Sequence, residues 1–150
     1  MKYWIYKSEP GSYSIDDLAR ERTTVWDGVR NYIARAYLLQ AEVGDLAFFY
    51  HSSAKPPGIA GLCRIIAAKV VDPTQFDPGS KYYDAKATLA NPNWFTVVVE
   101  FVEKFGDFLP LDRLRATFSP EELPMLRRGS RLSVTPVPPK TAARLLQMLR

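Results

Sequence analysis

A single histidine, His51, and a single cysteine, Cys63, bound the chemistry open to this chain. Structural zinc sites draw on four nitrogen or sulfur ligands and catalytic ones on at least three protein ligands, so two such residues exclude the common zinc cages. The glycines nowhere fall as G-x-G-x-x-G, and no Walker sequence is present, which removes the usual phosphate-cradling loops. Ser8, His51 and an aspartate are the right residue types for a hydrolytic triad, yet no nucleophile-elbow motif surrounds Ser8, and a chain of this length offers such trios by chance. The expectation is a protein without cofactor or metal that converts nothing.

What remains are aromatic and polar side chains suited to holding a planar ligand. Trp26 stands in the turn-like segment Thr24-Val25-Trp26-Asp27-Gly28, where a large ring is harder to assign to a core than Trp4 or Trp94 in their strands. His51 ends an apolar run, and its plainer reading is a strand-end imidazole with its hydrogen bonds satisfied; a pocket role is the alternative. Charge is unevenly spread. Residues 1–112 hold 12 basic and 14 acidic side chains, residues 113–150 hold 8 and 2, and the net charge is +4. A basic end of this kind attracts polyanions.

These side chains need a frame. At 150 residues and 47% hydrophobic content, one domain over residues 1–150 with one core is expected. No apolar run nears the roughly 20 residues of a membrane span, and no signal-peptide pattern follows Met1. Cys63 lies in the apolar run Gly61–Ile66 and reads as a small core residue in a reducing, cytoplasmic setting. Lys2–Lys7 reads as a strand closed by Pro10-Gly11, and Ser14 with Asp17 as the capped start of a short helix to about Arg20. Val29, Tyr32, Ile33, Ala36 and Tyr37 recur at helical spacing and predict a second helix buried along that stripe.

Leu46–His51 predicts a central strand, Gly58–Asp72 a long one with a bulge near Gly61, and Trp94–Phe105 another. The polar loop between the last two carries Phe76, Tyr82 and Tyr83, which argue for order. Ser119-Pro120-Glu121-Glu122 predicts a short capped helix cut off at Pro124. Residues 127–133 are basic and then strand-like, and Ala142, Leu145, Leu146 and Leu149 predict a C-terminal helix. Strands of uneven length among short helices and long loops point to an α+β domain built on a small, mostly antiparallel barrel.

Three segments taken together, Tyr3-Trp4-Ile5-Tyr6-Lys7-Ser8-Glu9-Pro10, Trp26-Asp27-Gly28-Val29-Arg30-Asn31-Tyr32 and Phe49-Tyr50-His51-Ser52, resemble the EVE domain family. Asp72–Pro78, Lys81-Tyr82-Tyr83-Asp84, Asn91-Pro92 with Trp94, and Arg128–Val134 extend the likeness over almost the whole chain. The resemblance implies a PUA-like open β-barrel with flanking short helices, related to domains that read methylated adenine in RNA. It further implies a reader of modified DNA bases such as 5-methylcytosine and its oxidised forms. By that analogy the base pocket comprises Lys7, Ser8, Trp26, Asn31, Tyr50, His51, Tyr83, Ser130, Arg131 and Leu132.

The types of these residues suit the task. A base read on its edge must leave the stack, lie against an aromatic plane and meet fixed donors and acceptors. Trp26 or Tyr83 would supply the plane, while Arg30, Arg127 and Arg128, donors only, suit phosphate. The expected partner is nucleic acid, DNA ahead of RNA, bound by a monomer in the cytoplasm or on the nucleoid, with no membrane involved. An RNA-binding module and a small-molecule enzyme using the same cavity are the competing readings.

Overall fold

The computed structural model describes all 150 residues. Six strands form one mixed sheet in the order β2-β5-β4-β3-β1-β6. They are β1 (Tyr3–Ser8), β2 (Thr23–Val25), β3 (Leu46–His51), β4 (Gly58–Val71), β5 (Phe95–Pro110) and β6 (Val134–Val137). Only β1 and β3 run parallel, with Ser8 opposite His51; the other neighbours are antiparallel. The long pair β4 and β5 slips register four times, beginning between Ile59 and Gly61. Each slip adds local twist, which coils the sheet toward a barrel that stays open at β2 and β6.

Alternation along the strands divides the interior in two. Trp4, Tyr6, Ala47, Phe49, Cys63 and Ile65 face one core, closed by Ile15 and Leu18 of α1 (Ile15–Glu21) and by Ala34 and Leu38 of α2 (Tyr32–Gln40). Ile5, Phe48, Tyr50, Ile59 and Leu62 face the other, closed by Leu114 of α3 (Leu111–Thr117) and by Ala142, Leu145 and Leu149 of α4 (Pro139–Leu149). The fold is α+β and PUA-like, as the sequence predicts.

The helix starts follow local chemistry. Ser14 Oγ accepts from the Asp17 amide and Asp17 accepts from the Ser14 amide, a reciprocal cap that satisfies two donors at once. Three sequence expectations shift. In α2 the buried residues are Ala34 and Leu38, whereas Tyr32 and Ile33 are 59% and 58% exposed, so the expected stripe is out of phase. Ser119 and Glu122 exchange cap hydrogen bonds and the Leu123 amide closes one turn on Ser119 O, yet only the 3-10 segment Pro124–Leu126 follows, because Pro124 has no N–H to continue the helix. The short elements β2 and α3 lie outside the sequence reading; α3 buries one residue, Leu114, and leaves no periodic signature.

Candidate nucleic-acid interface

Beside the end of β1 and the turn after β2 lies a cavity of about 760 Å³, within the size range of small-ligand sites. Its walls come from four stretches, Lys7–Tyr13, Thr24–Val29, Lys81-Tyr82 and Arg131–Ser133, together with Ser52. The second stretch is fastened at consecutive backbone amides. Trp26 N–H donates to Val97 O at 2.9 Å, Asp27 N–H to Val25 O at 2.9 Å, and Gly28 N–H to Asp72 Oδ2 at 2.9 Å.

Asp72, 1% exposed, organises this wall. Its carboxylate accepts from the Gly28 amide, from the Thr74 amide and hydroxyl, and from Arg30 Nη1 at 3.1 Å. Burial alone would raise its pKa; the hydrogen bonds from Thr74, Gly28 and Arg30 overcome that and hold it below the ordinary carboxylate value. The Arg30 fork also donates to Tyr82 O from Nε and Nη2, at 3.0 and 2.8 Å, and to Thr74 Oγ1 at 3.0 Å. Gly28 at φ +84° lets the chain pass under the Tyr82 ring, which a Cβ there would meet at 2.6 Å. Tyr82 is thus brought to the cavity by a knot of residues from two distant segments.

The structure sorts the residues singled out in the sequence. Lys7, Ser8, Trp26 and Arg131 line the cavity together. Trp26 is nonetheless a core residue, 6% exposed, packed on Tyr6 at 5.4 Å and edge-on to Phe49 at 5.3 Å. Ser8 Oγ donates to Tyr13 O at 2.6 Å, and the Lys7 ammonium sits 5.6 Å from the centre of the Tyr50 ring, where burial lowers its pKa.

Six others stand elsewhere. Asn31 caps α2, its Oδ1 accepting from the Ile33 and Ala34 amides, and so has no free acceptor aimed at a base. Tyr50 is 3% exposed in the second core. His51 Nε2 accepts from the Ile15 amide at 3.1 Å at the start of α1, the satisfied strand-end histidine of the plainer reading. It makes no hydrogen bond with Ser8, so the triad geometry is not assembled. Tyr83 is 45% exposed outside the cavity, and its place is taken by Tyr82. Leu132 packs on the first core, and Ser130 belongs to the turn closed by its amide on Arg127 O.

Among the basic residues, Arg30 is spent inside the knot and cannot serve phosphate. Arg127 and Arg128 are exposed and make no ion pair, on the loop that brings Arg131 to the cavity. Residues the sequence reading did not select, chiefly Asp27, Tyr82, Tyr13 and Lys81, complete the lining. Asp27 and Tyr82 each adjoin a selected residue, and only the direction of the turn decides which neighbour faces inward. Tyr13 donates to Glu21 at 2.6 Å; burial first, and Glu21 with it, pushes its phenol up to about 12.

The EVE domain profile matches residues 2–148. The chain belongs to the EVE domain family. Its EVE relatives include human thymocyte nuclear protein 1, 40% identical over 153 residues, an alignment covering 90% of this chain and 68% of that protein. A crystal structure of a Pseudomonas putida protein superposes with a TM-score of 0.94 at 49% identity over 99% of both chains. Human THYN1 has been crystallised in complex with 5-methylcytosine-containing DNA; it is 37% identical, with a TM-score of 0.91 over 100% of this chain and 98% of that one.

Proposed function

We propose that this EVE domain binds DNA containing a modified cytosine, 5-methylcytosine or an oxidised form of it, and holds that base in the cavity between Trp26 and Tyr82 without converting it. The observation that carries the reading is the composition of the cavity. Trp26 and Tyr82 offer aromatic surface, Ser8, Asp27 and Lys81 offer polar groups, and Arg131 lines the cavity at the end of the loop that also carries exposed Arg127 and Arg128. The human relative's complex with methylated DNA supports the choice of ligand. Stacking supplies about 1–3 kcal/mol for any base, so preference must come from the polar wall and from space for the added group. A methyl group is worth only about 1–3 kcal/mol in an apolar slot, which makes the expected selectivity modest.

The experiment is a parallel affinity series with DNA and RNA oligonucleotides carrying cytosine, 5-methylcytosine or 5-hydroxymethylcytosine at one position. Tighter binding of a modified DNA supports the reading; equal affinities reject base reading, and a preference for RNA rejects DNA as the partner. Mass spectrometry of the same samples after long incubation should find every base unchanged. A converted base would establish an enzyme.

A further inference from the structure

Asp27 is a cavity residue whose carboxylate no other residue in the molecule uses. Its carboxylate accepts no hydrogen bond from another residue and belongs to none of the seven ion pairs, although Lys7, Lys81 and Arg131 line the same cavity. The other carboxylate of the lining, Glu9, stands on the turn after β1, and both residues are exposed to solvent. Asp27 instead sits between Trp26 and Gly28, and the amides of all three are tied down, so its short side chain leaves a rigid backbone beside an aromatic wall. The residue is exposed, yet partial desolvation of its carboxyl first, then the nearby charge of Asp72, raises its pKa. A ligand that brings an N–H into the cavity can replace the water that meets such a group.

We propose that Asp27 selects the amino-bearing edge of a pyrimidine, accepting a hydrogen bond from the exocyclic N4 amino group and thereby telling 5-methylcytosine from thymine. The inference rests on the base-binding reading of the cavity and adds the group that enforces it. An ionised carboxylate is an acceptor only. Cytosine presents N4–H to it, a pairing familiar from base-edge readout, whereas thymine presents O4, a second acceptor, and the two oxygens repel. The two bases share the ring skeleton, the O2 carbonyl and the methyl group, and differ at position 4 and in the proton on N3. Neither stacking nor a methyl slot separates them, so the separation falls to a group of Asp27's kind.

The test uses duplexes with the test base opposite an abasic site, which removes differences in pairing. Four bases are compared, 5-methylcytosine, thymine, cytosine and uracil, with wild type and Asp27→Asn. The amide can donate as well as accept, so it accommodates O4; since the Asp27 side chain holds no other residue in place, the variant should fold, which its melting temperature checks. Wild type should bind 5-methylcytosine over thymine, and cytosine over uracil, by about tenfold or more. In Asp27→Asn both ratios should fall toward one, mainly through tighter thymine and uracil binding, with the 5-methylcytosine to cytosine ratio kept.

If wild type shows no amino preference, or Asp27→Asn retains it, the assignment of Asp27 is wrong while a 5-methylcytosine to cytosine preference leaves the modification reading intact. If cytosine is bound as tightly as 5-methylcytosine, the modification reading falls, and the cytosine to uracil ratio still decides Asp27. Absence of binding to all four overturns both.

Discussion

Trp26 and Tyr82 both touch the cavity, but they carry different loads. Trp26 is wedged against Tyr6 and Phe49, so Trp26→Ala should cost about 3–5 kcal/mol of stability before any ligand is considered. Tyr82 is half-buried on a loop, and Tyr82→Ala should instead lose about 1–3 kcal/mol of affinity for all bases alike, with a small change in urea midpoint. Equal losses of stability in the two variants would show that Tyr82 is structural. His51 permits a pH test free of other histidines. Burial lowers its pKa below the ordinary 6.5, and its Nε2 must stay unprotonated to accept from Ile15. As pH falls below 6.5 the unfolded chain takes up this proton first, so stability declines through that window. His51→Gln should lose less between pH 7.5 and 5.5 in urea titrations, and identical losses would contradict the assignment. At this scale residue types were legible from sequence, whereas facing was not: Tyr83 and Asn31 carry plausible chemistry, but turn direction and helix capping turned one outward and occupied the other.

Elements separated by more than 40 residues meet in the Arg30–Asp72 knot, which holds the Gly28 turn to the loop bearing Tyr82. Removing one partner of a buried pair leaves the other charge without compensation, a cost of about 3–5 kcal/mol. Arg30→Ala should therefore lower the melting temperature and weaken binding, while the dependence of log K on log salt keeps its slope. A flattened slope with unchanged stability would instead make Arg30 a phosphate ligand. Strands β1, β3 and β4 and helix α4 were legible in the sequence because each repeats an apolar pattern over several residues. The knot was not, since it has no periodicity: a polar network is visible only when distant donors and acceptors are brought together. The α2 stripe misled for a related reason, since Tyr32 stacks outward on Trp94 at 4.9 Å and satisfies its ring away from the core.

For the molecule as a whole, the excess of basic residues after position 112 does not form one patch. Arg144 and Arg150 pair with Glu122 and Glu103, Arg113 and Arg115 lie on α3 and Lys140 on α4, and Arg127, Arg128 and Arg131 share the loop that reaches the cavity at Arg131. Removing one cation that neutralises a phosphate lowers the salt slope by about 0.9, so Arg128→Ala should flatten it by about one and weaken modified and unmodified DNA equally. A selective effect on modified DNA would place Arg128 at the base instead. The fold class was readable from the uneven strands and short helices, whereas the single core expected from composition is divided in two by alternation along those strands. In the proposed binding mode the modified base enters the cavity on the side of the first core. An amide NMR titration with a 5-methylcytosine oligonucleotide tests it residue by residue. Shifts should concentrate at Ser8, Asp27, Gly28, Lys81 and Tyr82, with those of the Arg127–Arg131 loop shared by the unmodified oligonucleotide; shifts centred on α3 and α4, or the same map for both oligonucleotides, would contradict it.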